Sequence, residues 1–211
     1  CETCVLVSMN SIDHHRKILW TIKHSARSAG EFPIQKYLGT THRVYSVAVP
    51  MLRSIAANWS REHRMIPFKK LIALTDRLFH GPSREEKVIA SMILSRFPDV
   101  LKRLSFQDVN RWLGELSGWE EIDSFCDELA VWVLADQKKR LPYLSGWAKS
   151  KQVEKRRTSL VILCSAVRTS DDQELADLSY NLIKQLKHEK SVMITKAISW
   201  LLRSLLKYHR K

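Results

Sequence analysis

Gly118-Trp119-Glu120-Glu121-Ile122-Asp123-Ser124-Phe125-Cys126 is the stretch on which the reading of this chain turns. Trp119, Ile122, Cys126, Leu129 and Val133 follow one another at steps of three and four residues, the spacing of an α-helix packed on one face. Asp123 stands four residues after Trp119, so the two side chains share a surface at the margin of the apolar stripe. It also lies past the first turn, where an N-cap role does not account for it. A carboxylate at such a margin costs desolvation energy unless it is paired, hydrated or used, which makes Asp123 a candidate site residue. Taken alone it also reads as a solvated flank acid, the commoner fate of a charged side chain.

Working outward, helical patterning continues in both directions. Helices are expected near 66–80, 83–97, 106–116, 119–134, 137–149, 152–168, 171–187 and 190–208, with Pro67, Gly81-Pro82, Pro98, Gly118, Pro142 and Gly146 as punctuation. Upstream, 11–29 reads as a basic helix through Ile18, Leu19, Ile22 and Ala26. A shorter helix is expected over 31–39, with Tyr37 near its end and a break at Gly39-Thr40-Thr41. Pro50 fits the first position of the next helix, where its missing N–H would be unpaired anyway. No period-2 strand stands out, and six Gly and six Pro are few for a protein of many strands and turns. Short helices on short loops predict an all-α fold of helix pairs stacked as an irregular α-solenoid, although no strict sequence period is present.

The 211 residues suffice for one domain with a substantial core. Thirty-five Lys and Arg against 22 Asp and Glu give a net charge of +13, which points to nucleic acid first and an anionic membrane second. No apolar run reaches the roughly 18 residues of a membrane span and no signal peptide is visible, so a soluble, cytoplasmic protein is expected, nucleoid-associated in a prokaryote. Of four cysteines, Cys1 and Cys4 form a lone CxxC, a weak zinc signal, while Cys126 and Cys164 fall on apolar helix faces. All four read as incidental or core. The start at Cys and the stop at Tyr208-His209-Arg210-Lys211 read as clipped ends.

Two later helices carry further candidates. Val153, Arg157, Leu160, Val161 and Cys164 form a stripe that sets Arg157 on the apolar side, where a guanidinium needs an anion, either a protein carboxylate or a ligand phosphate. In the last helix Ile194, Ala197, Ile198, Leu201 and Leu205 make the core face. Beside it run Lys196, Trp200, Arg203 and Lys207 at 4, 3 and 4 spacing, a Trp among three cations that core packing alone explains poorly. Snorkelling cations around a packing Trp and a structural ion pair for Arg157 are the plainer readings. The eight histidines show no ligand spacing, so neither a metal nor a cofactor is expected, and no phosphate loop, Walker motif or GxSxG elbow occurs.

Trp119 with Asp123, Trp147-Ala148-Lys149-Ser150-Lys151-Gln152-Val153-Glu154-Lys155-Arg156-Arg157, and Ile194-Thr195-Lys196-Ala197-Ile198-Ser199-Trp200-Leu201-Leu202-Arg203 together resemble the AlkD-like family of DNA alkylation repair glycosylases. Tyr37 and the Val49-Pro50-Met51-Leu52-Arg53 helix start fit the same pattern. The resemblance implies a single domain over 1–211, a right-handed α-solenoid of HEAT-like helix pairs with a concave basic DNA-binding face, lacking the family's closing helices. It implies a monofunctional enzyme acting as a monomer on duplex DNA, removing cationic N3- or N7-alkylated purines by hydrolysis of the N-glycosidic bond.

In that pattern Asp123 is the catalytic carboxylate, Trp119 and Trp200 contact the lesion nucleotide, and Arg157 holds a phosphate. Tyr37, Lys151, Gln152, Arg156, Lys196, Arg203 and Lys207 are then the expected DNA-binding residues. The chain departs from the pattern at Ala48, Gln152, Glu154 and Val192-Met193. Two other classes remain: a non-catalytic HEAT-like protein that binds branched or distorted DNA, and a protein-interaction scaffold, which the charge and the Trp200 ridge disfavour.

Overall fold

The computed structural model describes residues 10–27 and 32–209, and every regular element among them is helical. The elements are α1 (Ser11–His24), α2 (Ile34–Leu38), α3 (Val49–Glu62), α4 (Phe68–Phe79), α5 (Arg84–Leu94), α6 (Pro98–Arg103), α7 (Phe106–Leu113), α8 (Gly118–Ala135), α9 (Gln137–Ala148), α10 (Val153–Thr169), α11 (Gln173–Leu186) and α12 (Val192–Tyr208). No described helix is long and apolar enough to cross a membrane. The Cys1-Cys4 pair lies outside the described residues. The chain folds as two compact units, one up to Val100 and one from Leu101 onward.

Local chemistry sets most boundaries. Asn10, Ser83 and Ser105 close capping boxes with Asp13, Glu86 and Asp108, each satisfying amides that the first helical turn leaves unpaired. Gly39 ends α2 in the left-handed region at φ 68°, which glycine adopts without a Cβ penalty. Pro50 is the second residue of α3 rather than its first, still within the turn whose N–H groups lack intrahelical partners. Three punctuation marks act differently from expectation. Pro98 opens the short helix α6, which the periodicity does not reveal. Pro142 and Gly146 lie inside α9, whose course is held by buried Leu141, Leu144 and Trp147 despite the missing amide.

In the first unit α5 is buried along all its length and packs on α3 and α4, with α1 against α3 and α4. Ile18, Ile22, Leu52, Trp59, Leu71, Leu78, Ile89 and Ile93 fill the space between them. Four charged residues, Arg84, Glu85, Glu86 and Lys87, are buried with α5, and each is tied to a partner. Glu85 accepts from the amides of Tyr45 (3.1 Å) and Val47 (3.4 Å) and pairs with Arg84 Nη1 (3.3 Å), which in turn donates to the Val47 carbonyl. Between those two amides Ser46 sits at φ 59°, so Glu85 holds a backbone turn that a serine rarely adopts. Glu86 pairs with His15 at 2.7 Å and accepts from Ser83 Oγ. Burial opposes its charge, but those hydrogen bonds hold its carboxyl below the ordinary value of 4.5, so its contribution to stability is lost as pH falls into the acid range.

In the second unit α10 is the central helix, flanked by α8, α9, α11 and α12. Leu160, Val161, Ile162, Leu163, Cys164 and Val167 are buried on several of its sides. Cys126 of α8 and Cys164 are free, fully buried thiols. Burial pushes both above the usual thiol range, that of Cys164 to about 12.

Replacing Glu85 with Ala leaves the Tyr45 and Val47 amides without their acceptor and removes the carboxylate that Arg84 pairs with. Glu85→Ala is therefore expected to lower stability by about 3 kcal/mol, measured as a reduced midpoint in urea unfolding followed by circular dichroism.

Candidate functional site

Helix α8 starts at Gly118, whose φ of 79° needs glycine, and the Ser117 amide donates to Glu121 Oε2 at 2.9 Å to close the first turn. Ile122, Phe125, Cys126, Leu129 and Val133 then bury the inner face of the helix. Asp123 lies on the shoulder of that face, next to α10, with 19% of its side chain exposed. Arg157, in the second turn of α10, meets it through a two-pronged contact: Nε donates to Oδ1 at 2.9 Å and Nη2 to Oδ2 at 2.8 Å. The remaining guanidinium nitrogen, Nη1, donates to the carbonyl of Met193 in the first turn of α12. One arginine, only 5% exposed, thus ties the carboxylate of α8 to the backbone of α12. Because a backbone carbonyl receives the bond, the contact does not depend on the side chain at position 193.

The protonation of Asp123 is set by opposing effects. Burial raises its pKa above the ordinary value of 3.8 and prevails, with Asp127 and Glu120 adding to the rise and Arg157 opposing it by hydrogen bond and charge. A carboxylate has about four lone-pair positions, so two hydrogen bonds from Arg157 leave both oxygens able to accept again.

Trp119, one turn before Asp123, and Trp200, two turns after Met193 on α12, are both partly exposed. Lys196, Arg203 and Lys207 line the same exposed ridge of α12 as Trp200, with Arg203 donating to Ser199 Oγ at 2.6 Å and Lys207 5.1 Å from the Tyr208 ring. Lys151 and Gln152 are exposed in the loop before α10. Arg156 has a built-in partner: it forms an ion pair with Glu189 at 2.7 Å and donates to the carbonyls of Ser150 and Lys151. Arg157 likewise has its anion from within the chain, the carboxylate alternative of the two that its position required. Tyr37 belongs to the first unit, where it is 59% exposed and packs edge-on against Phe32. Among the described residues no group of His, Cys, Asp or Glu is placed to hold a metal.

A family model described as DNA alkylation repair enzyme matches residues 23–211. The chain belongs to that family. No curated protein matches it. Among solved structures, one titled as a predicted DNA alkylation repair enzyme from Enterococcus faecalis is similar with a TM-score of 0.67 at 18% identity, covering 83% of this chain and 81% of that one. At that identity the likeness speaks for the fold.

One contributor to this DNA alkylation repair enzyme's candidate site escapes the sequence reading. Asp127 lies one turn beyond Asp123, accepts from Ser165 Oγ at 2.6 Å and stands 3.6 Å from Arg168. Its signal is the 3 and 4 spacing of Glu120, Asp123 and Asp127, an acidic row on a chain of charge +13.

Removing the arginine leaves Asp123 largely enclosed without the cation it pairs with. Arg157→Ala is expected to cost about 3 kcal/mol of stability in chemical unfolding followed by tryptophan fluorescence. Arg157→Lys, which keeps the charge but not the fork, is expected to recover only part of that.

Proposed function

We propose that this DNA alkylation repair enzyme is an N-glycosylase that removes cationic N3- or N7-alkylated purines from duplex DNA, with Asp123 as its catalytic carboxylate. The observation that carries the reading is the paired yet still accessible carboxylate of Asp123, fixed by Arg157 between a tryptophan-bearing turn of α8 and the tryptophan-bearing helix α12.

The chemistry asked of such a site is modest. An alkylated purine already carries positive charge, so when the C1′–N bond breaks the bonding pair neutralises the departing base and no strong general acid is needed. The sugar is left as an oxocarbenium cation. Asp123, aimed by Arg157 and short of water, stabilises that cation through its charge. A water oxygen then adds at C1′, and its proton passes to Asp123, whose raised proton affinity suits it to the task, and on to solvent. The products are free base and an abasic strand. The exposed faces of Trp119 and Trp200 offer cation–π contact to the charged nucleotide. Lys196, Arg203, Lys207 and Lys151 supply phosphate contacts, with Gln152 and Tyr37 as further backbone contacts. Arg156 and Arg157 act from behind, holding loop and carboxylate in place.

Single-turnover release of 7-methylguanine from a methylated duplex tests the assignment. Asp123→Asn is expected to slow release by on the order of 10²–10³-fold while duplex binding is retained; equal rates for the two proteins would sink the role of Asp123. Because the working form is the carboxylate and its pKa is raised, the wild-type rate is expected to fall with decreasing pH at a midpoint above 3.8.

The ridge of α12 gives a separate expectation. Replacing Lys196, Arg203 and Lys207 with Ala is predicted to flatten the dependence of log affinity on log salt by about 0.9 for each phosphate that the variant no longer neutralises, measured by anisotropy on a labelled duplex at several salt concentrations.

A further inference from the structure

The first unit holds a cavity that the glycosylase reading leaves unused. It is open to solvent, has a volume of about 540 Å³, within the range of small-molecule sites, and lies between the end of α3 with the segment after it and the segment that joins α5 to α6 with the first turn of α6. Three guanidinium groups line it, those of Arg61, Arg64 and Arg96, against the single carboxylate of Asp99. Among the described residues, Arg64 and Arg96 engage no protein group through their side chains, and Arg61 reaches only Asn58 Oδ1 at 3.3 Å. Like charges gathered without partners repel one another, and an arriving anion relieves that repulsion.

Three forked guanidinium groups offer more donors than the two oxygens of a carboxylate can accept, whereas a terminal phosphate presents three oxygens to them. The rest of the wall is apolar: Phe97 and Ile66 give a surface for a flat ring beside the charged end.

We propose that this cavity binds a terminal phosphate monoester carried on a ligand of nucleotide size, with Arg64 and Arg96 on the phosphate and the base against Phe97. Such a group has two sources, a free mononucleotide or the phosphorylated end of a DNA strand. The site is separate from Asp123, and its occupation does not depend on the glycosylase assignment.

Calorimetric titration of the full chain with AMP, adenosine, and single-stranded oligonucleotides bearing a 5′-phosphate or a 5′-hydroxyl tests it. Saturable binding is expected for AMP and none for adenosine. Arg64→Ala with Arg96→Ala is expected to weaken AMP at least tenfold. These arginines are exposed, and an unchanged melting temperature verifies the fold of the double variant. Competition with AMP by the 5′-phosphorylated oligonucleotide alone identifies the strand end as the source; no competition by either identifies the free mononucleotide. The proposal is overturned if no phosphate-bearing ligand binds in a manner that requires Arg64 and Arg96, or if adenosine binds as well as AMP.

Discussion

The two-pronged contact between Arg157 and Asp123 is the constraint on which the second unit's site depends. Neither group is comfortable where it lies without the other. A guanidinium almost fully enclosed by α10 and α12 needs an anion, and a carboxylate at the edge of the Ile122, Phe125 and Cys126 face needs a cation. Joined, they fix the aim of the carboxylate to within the tolerance of two hydrogen bonds. The third nitrogen of Arg157 extends the constraint to α12 through Met193, so the helix that carries Trp200 is tied to the acid by the same side chain. The site is therefore assembled from three helices joined through one side chain.

The first unit solves a related problem with different means. There the buried charges are collected at the start of one enclosed helix, and their partners are largely backbone groups: the Tyr45 and Val47 amides on Glu85, and the Val47, Phe79 and Gly81 carbonyls on Arg84 and Lys87. Charges satisfied in this way stitch an irregular segment to a helix. The Asp123–Arg157 pair, by contrast, keeps lone pairs available. The first arrangement is architecture, the second leaves chemistry to be done.

Much of this is legible in the residues. Three- and four-residue spacing marks the helices, because a packed face repeats at the period of the backbone, and the position of Asp123 beside Trp119 singles it out as a candidate. That Arg157 requires an anion can be read from its place in the stripe of Val153, Leu160 and Cys164; which anion it takes cannot, because Asp123 lies 34 residues away and no local rule joins them. For the same reason the pairing of Arg156, an expected DNA-binding residue, with Glu189 is not visible in the spacing. Pro142 misleads as punctuation because the burial of Leu141, Leu144 and Trp147 outweighs one missing hydrogen bond. The spacing gives a helix over 83–97 but not the burial of Arg84-Glu85-Glu86-Lys87, since adjacent charges are ordinarily outside. Only the fold shows that each has a partner waiting.

Cys126 and Cys164 lie sealed inside the second unit, and burial keeps their protons on. A thiol attacks an electrophile as its thiolate, so these two are shielded twice, by access and by charge state. The chain belongs to a family described as DNA alkylation repair enzymes, and sulfur is among the first atoms that alkylating agents seek. The packing that positions α8 and α10 thereby hides this pair of sulfur nucleophiles from the very reagents whose damage the family exists to undo.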